Sequence, residues 1–220
     1  PLEICLFKWC EMEEIVFLNG EYTPISQAKI SVLDRGFLLA DGVFEVIAMY
    51  GGKVFRGQRH LDRLRWSLEA IQLDSPYTDD DYLSIFNELR KRNVRHPKQK
   101  LYLEITRGEQ CDRSQYFDPA QVRPTVFIRI SSIHVSGRER GVAAITVEES
   151  RWARCDVKSI NRLPNVLMAQ KAHLAGAEDA IITSGGLVLE GSSCNCFVVK
   201  SGVVATPPLS HELLSGVTRE

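Results

Sequence analysis

At 220 residues the chain is long enough to bury a substantial core, as one large domain or two small ones. With 44% hydrophobic and 25% charged residues it has the composition of an ordinary soluble globular protein. Its formal charge of −1 gives no footprint for a nucleic-acid or membrane partner.

No apolar stretch approaches the ~20 residues of a membrane span. The opening PLEICLFKWCEMEE lacks the basic lead-in and small-residue cleavage site of a secretory signal, so a cytoplasmic protein is expected. Its cysteines, Cys5, Cys10, Cys111, Cys155, Cys194 and Cys196, are scattered and lack nearby histidines. No metal site is expected from them, and reduced thiols are the default.

In chain order, IVFLNGEYTP reads as two strands about an Asn19-Gly20 turn. ISVLDRGFLLADGVFEVIAMYGGKVF then gives a loop, an apolar strand, a Gly51-Gly52 turn and another strand. Leu61, Leu64, Leu68 and Ile71 fall on one face of an amphipathic helix. A second helix, DDYLSIFNELRKRN, has Thr78 as its N-cap and Asp79, Asp80 and Asp81 at its positive end. KLYLEITRG and PTVFIRISSI are strands of an antiparallel sheet, separated by a long polar loop suited to lining a site. SSIHVSGRERG reads as a linker, because apolar alternation lapses there and charge accumulates.

The alternating run VAAITVEESRWARCDV predicts a strand ending at Lys158. A helix from Leu163 to Leu174 and a C-cap at Gly176 follow. Further strands are expected at DAIITS, LVLEG, NCFVVK and VVATP, with turns at Gly185-Gly186 and Ser201-Gly202. The pattern is α+β in two lobes, with mixed or antiparallel sheets rather than repeated βαβ units. The divisions are an extension of unknown role at 1–11, an N-terminal lobe at 12–133, a linker at 134–140 and a C-terminal lobe at 141–220.

Two residues stand out chemically. Lys158 ends one apolar run and Glu190 ends another, the latter followed by small hydroxyl-bearing residues and an asparagine. A lysine amine can form a Schiff base with a carbonyl. Taken alone, though, a lysine after a strand reads as a solvated surface residue.

The surrounding strings change that. RWARCDVKSINRLPNVLMAQKA followed by EGSSCNCFVV resembles the class IV (fold-type IV) pyridoxal 5′-phosphate (PLP) aminotransferases, and among them the D-amino acid aminotransferases. The resemblance extends to LNGEYTPISQAKISVLDRGFLLADGVFEVI, RHLDRLRWSLEAI, YLEITRG and TPPLSHELLSGVTRE, so it runs from about Met12 to Glu220. It implies a two-lobed PLP enzyme, a homodimer, acting on an amino acid such as D-alanine and a 2-oxo acid. Set against relatives, the C-terminal lobe is expected to be incomplete at its end, the sequence being either a fragment or a shortened form.

The resemblance also implies roles. Lys158 binds the cofactor and moves a proton, and Glu190 pairs with the protonated pyridine nitrogen. Arg63, Val217 and Thr218 hold the phosphate, an arginine fork and helix-start amides both being suited to it. Ser193 and Asn195 contact the cofactor or its phosphate, and Leu214 packs on the ring. For the substrate carboxylate, Phe44, Arg113 and Gln115 are matched to the family's trapping positions. Relatives usually have a tyrosine where this chain has Phe44 and a histidine where it has Gln115. Three alternatives stay open: a branched-chain aminotransferase, an aminodeoxychorismate lyase, and a shortened, catalytically silent homologue acting as a binding partner.

Overall fold

The computed structural model describes residues 13–133 and 141–220. The expected extension at 1–11 and the linker at 134–140 lie outside the described residues. Strands β1 (Ile15–Leu18) and β2 (Glu21–Pro24) form the expected hairpin. Asn19 and Gly20 take φ values of 50° and 98°, the left-handed pair that this tight turn needs.

The expected loop after β2 contains a short helix, α1 (Arg35–Leu39), started by Asp34, whose carboxylate accepts from the Gly36 N–H at 2.7 Å. Strand β3 (Gly42–Tyr50) and the short β4 (Lys53–Val54) follow. Helix α2 (Gly57–Ala70) begins four residues before the apolar periodicity, which starts at Leu61. Helix α3 (Asp79–Arg92) carries the predicted Thr78 cap as a reciprocal capping box with Asp81. Strands β5 (Lys98–Thr106) and β6 (Thr125–Ser132) complete an antiparallel sheet of order β2-β1-β6-β5-β3-β4.

Alternation along the strands divides this sheet. Val43, Ile47, Leu101, Leu103, Ile105 and Ile128 point one way and bury against Leu61, Leu64 and Leu68 of α2 and Phe86 and Leu89 of α3. Phe44, Val46 and Tyr102 point the other way, onto a face that no helix among the described residues covers.

The second lobe is a three-stranded sheet of order β7-β8-β9, made of β7 (Ala144–Glu148), β8 (Asp179–Ser184) and β9 (Leu187–Gly191). Strands β7 and β8 are parallel, and α4 (Leu163–Leu174) lies in the crossover between them. Met168 and Ala172 of α4 pack on Val147, Ala180, Ile182 and Leu189. The hairpin β10 (Val198–Lys200) and β11 (Val203–Ala205) stands apart, exposed along its length.

Two expected strands are shorter than predicted. β7 stops at Glu148 and does not continue to Lys158. The Glu149 carboxylate accepts from the backbone N–H groups of Ser150 and Arg151 at 2.9 and 2.7 Å, local bonds that replace ladder bonds. NCFVVK is strand only from Val198, because Asn195 is drawn into a bridge with Glu190.

The chain freed after β7 crosses to the first lobe. There the Phe44 N–H donates to the Lys158 carbonyl at 2.9 Å and the Ile160 N–H to the Gly42 carbonyl at 3.1 Å. The joint between the lobes is therefore made at the start of β3, and it is made by Lys158 and its neighbours.

Candidate active site

A cavity of about 1070 Å³ lies at that joint. Its walls include Phe44, Arg63, Lys158, Glu190, Ser193, Asn195, Leu214, Val217 and Thr218. These nine sequence-nominated residues come from β3, α2, the β7–α4 crossover, β9 and the segment just after it, and the last stretch of the chain.

Lys158 is fixed through its backbone. Besides the bond from Phe44, its own N–H donates to Ser67 Oγ of α2 at 3.2 Å, and Val157 before it is buried. Its Nζ sits 4.4 Å from the centroid of the Phe44 ring, open to the cavity but out of bulk water. Burial pulls this ammonium down from 10.5 to about 8, with Arg63 and Arg162 lowering it further and Glu45 and Glu190 opposing them. An amine near 8 is partly neutral at physiological pH, the state required of a nucleophile or base.

Glu190 lies at the end of β9, held by three donors. Arg151 Nη1 reaches Oε1 at 2.5 Å, while Asn195 Nδ2 and the Leu214 N–H each reach Oε2 at 3.2 Å. Burial pushes the Glu190 carboxyl above its ordinary range, and Arg151 and the Leu214 N–H pull back. With a guanidinium at 2.5 Å the side chain is best described as an anion fixed in place. Asn195 thus acts as a holder: its amide also donates to the Leu214 carbonyl at 2.9 Å. Gly216 passes so close that a Cβ there would lie 1.9 Å from Asn195 Oδ1.

Arg63 is anchored from behind. Its Nε and Nη2 grip the fully buried Glu45 at 2.7 and 2.8 Å, and Nη1 donates to the Ser215 carbonyl at 2.6 Å. Glu45 also meets His60 Nδ1 at 2.8 Å. Burial alone would raise the Glu45 carboxyl, but the bonds from Arg63 and His60 outweigh it and hold it below its ordinary range. Of a guanidinium's five N–H donors, three are spent here, and the rest remain for the cavity. Val217 and Thr218 lie in a turn closed by the Arg219 N–H on the Gly216 carbonyl at 3.0 Å, and Arg56 donates to the Val217 carbonyl.

Arg113 and Gln115 are not brought into this cavity; both are exposed on the loop between β5 and β6. Arg35 holds that loop, with Nη1 on Gln110 Oε1 at 2.9 Å and the Ser114 carbonyl at 2.6 Å, and Nη2 on the Gln115 carbonyl at 3.2 Å. Phe117 lies under Arg107, 3.7 Å from its guanidinium carbon. Ser193 is exposed on the cavity wall, whereas its neighbour Ser192 is buried, its hydroxyl on Asp179 Oδ1 at 2.5 Å.

Sequence reasoning missed the residues that hold the others. Arg151 is buried between Glu149 and Glu190. Arg162 and Asn165 both donate to the Ser192 carbonyl, at 2.8 and 2.9 Å. Glu45 was findable: a carboxylate at an inward position of an alternating strand needs a partner. Arg151 had no such signal, since its surroundings read as an ordinary strand.

The family of amino-transferase class IV matches residues 42–220 of this chain. D-alanine aminotransferase from Staphylococcus haemolyticus is 37% identical over 208 residues, which span 93% of this chain and 73% of that protein. D-alanine aminotransferase from Bacillus licheniformis is 38% identical over 206 residues, 93% of this chain and 72% of the relative. Among solved structures, the branched-chain aminotransferase of Thermoproteus uzoniensis superposes with a TM-score of 0.81 at 28% identity, over 93% of this chain and 71% of that one. The branched-chain enzyme of Escherichia coli gives 0.80 at 26% identity, over 94% and 70%. With a sequence match of this extent, a shared fold and a buried amine lining one cavity with a fixed carboxylate, the chain belongs to the class IV aminotransferases, transferases that depend on pyridoxal 5′-phosphate.

Proposed function

We propose that the protein transfers the amino group of a D-amino acid, D-alanine first among them, to a 2-oxo acid such as 2-oxoglutarate. The choice of D-alanine is supported by relatives named for that reaction at 37–38% identity over most of the chain. The observation that carries the chemistry is the pairing of Lys158 and Glu190 in one cavity, the amine drawn down to about 8 by burial.

The donor set fits the cofactor. Lys158 supplies the amine that would hold its aldehyde, Glu190 an anion for its pyridine nitrogen, and Arg63 spare N–H donors for its phosphate, beside Val217 and Thr218. When bound, the cofactor supplies an electron sink for the pair left on the substrate's Cα as its proton departs. The residues supply the rest. Lys158 Nζ takes that proton and returns it, and its lowered pKa lets it do both near neutral pH. Arg151, Asn195 and the Leu214 N–H keep the Glu190 carboxylate aimed at one place, so no reorganisation is needed as charge moves. Leu214 and Phe44 are apolar walls that limit water around the reacting atoms.

Arg113 and Gln115 are proposed to bind the substrate carboxylate as residues of the Arg35-held loop, which reaches a site in a homodimer rather than the cavity of its own protomer. The enzyme is proposed to work in the cytoplasm, where Cys111 and Cys155 stay reduced. Among the described residues no helix is long and apolar enough to cross a membrane.

The test is a coupled assay with D-alanine and 2-oxoglutarate, which should yield pyruvate and glutamate. L-leucine should be the poorer donor. Faster turnover of L-leucine would favour the branched-chain reading, and pyruvate formed only from aminodeoxychorismate would favour the lyase. A protein that binds the cofactor and turns over none of these would be the silent homologue.

A further inference from the structure

The cavity wall formed by the uncovered sheet face carries a carboxylate that no role above employs. Glu104 of β5 is the direct cross-strand partner of Phe44 on β3 and of Phe127 on β6. Side chains so paired stand about 5 Å apart at Cβ. Tyr102, two residues away on the same face, donates its hydroxyl to Glu104 Oε2, and its ring lies 5.9 Å from Phe44 and 6.4 Å from Phe127. The carboxylate is thus half-buried inside three aromatic rings and reaches the cavity.

Among the described residues Glu104 takes part in no ion pair. The cationic side chain nearest in register, Arg129 opposite Tyr102, is committed to Glu14 at 2.9 and 2.7 Å. The cavity's other carboxylate, Glu190, is already held by Arg151. An ionised carboxylate has about four acceptor positions, of which Tyr102 fills one. A half-buried anion with acceptor capacity to spare, ringed by aromatic faces, suits a cationic guest on both counts.

Phe44 is the common neighbour: Lys158 Nζ lies over its ring at 4.4 Å, and Glu104 stands beside it across the ladder. A substrate reacting at Lys158 and lying along Phe44 would carry its side chain toward Glu104. We infer that Glu104, framed by Phe44, Tyr102 and Phe127, selects amino acids whose side chain ends in a cation, such as an ω-amino group, over neutral side chains of equal length. This rests on the transaminase reading and adds to it a class of side chain.

The experiment compares kcat/KM for D-ornithine with that for D-norvaline, which matches its carbon chain without the charge, in the wild type and in Glu104→Gln. The wild type should prefer D-ornithine, and the substitution should lower the ornithine-to-norvaline ratio by about tenfold or more, the scale of losing one charge pair away from bulk water. Tyr102→Phe, which frees Oε2 and keeps the charge, should leave that preference in place. A ratio that Glu104→Gln does not move overturns the inference, because a merely structural role would slow both substrates alike.

Should the wild type transaminate no amino acid at all, the transaminase reading fails, and calorimetry on the cofactor-loaded protein decides Glu104 alone. Tighter binding of 1,5-diaminopentane than of pentylamine, lost in Glu104→Gln, supports the site. Equal binding of the two amines by the wild type refutes it.

Discussion

Lys158 and Phe44 hold each other twice: the Phe44 N–H donates to the Lys158 carbonyl at 2.9 Å, and the Lys158 ammonium lies 4.4 Å from the centre of the Phe44 ring. The backbone bond docks the crossover of one lobe onto the sheet of the other. The ring contact places the amine in the cavity and screens it from water. One pair of residues therefore takes part both in the joint between the lobes and in the shielding of the reactive group.

Burying that amine has a cost in the cofactor-free protein, and its sign can be measured. The ammonium's folded pKa, about 8, lies below its ordinary 10.5, so between those values the unfolded chain binds more protons than the folded one. The penalty is full below pH 8 and fades as the pH rises toward 10.5. Lys158→Met should stabilise the cofactor-free protein at pH 7 by up to about 3.5 kcal/mol, given roughly 1.4 kcal/mol per pKa unit. Its advantage should shrink above pH 9. Melting curves of both proteins across this range check it, while the variant's transaminase activity should be abolished.

Glu190 and Arg151 separate turnover from stability. Glu190→Gln keeps the shape and the acceptor for Asn195 but loses the charge, so turnover should fall by about two to three orders of magnitude with little loss of stability. Arg151→Ala leaves Glu149 and Glu190 partly or wholly out of water without their cation, and should cost about 3–5 kcal/mol. Unpartnered carboxyls have folded pKa values above their unfolded ones, so this deficit should narrow as the pH falls toward 5. Urea titrations at two pH values and steady-state kinetics read both outcomes.

Glu45 gives the opposite pH signature. Its carboxyl is held below the ordinary range by Arg63 and His60, so its contribution is present above the unfolded carboxylate pKa and is lost as the pH falls through the folded value. Glu45→Gln should destabilise the protein by about 3 kcal/mol at pH 7, because Arg63 and His60 lose their anion. The difference between variant and wild type should begin to shrink as the pH falls below about 4.5 and keep closing at more acid pH. Calorimetric melting at pH 7 and through a descending acid series tests it.

Gly108, two residues past β5, has φ 84°, and a Cβ there would meet the Arg123 carbonyl oxygen at 1.8 Å. Gly108→Ala should cost more than about 2 kcal/mol through strain and a shifted loop. Because the Gly108 carbonyl accepts from the Arg35 N–H at 2.8 Å, the loop bearing Arg113 and Gln115 should move with it. KM for the amino acid should rise more than kcat falls, and denaturant melting should show the lost stability.

Local chemistry alone determined much of this protein. The Asn19-Gly20 hairpin, the Thr78 cap, the amphipathic face of α2 and the strands β5 and β6 follow from turn geometry, capping and periodicity, which act within a few residues. The strings around Lys158 and Glu190 carried the family. What the sequence could not supply was the company these two residues keep. That β7 breaks at Glu149, that Arg151 turns inward onto Glu190, that Glu45 claims half of Arg63, and that Arg113 and Gln115 sit away from the cavity of their own chain all depend on contacts between segments distant in sequence. Desolvation and long-range charge pairing decide these, and neither exists until the two lobes have met.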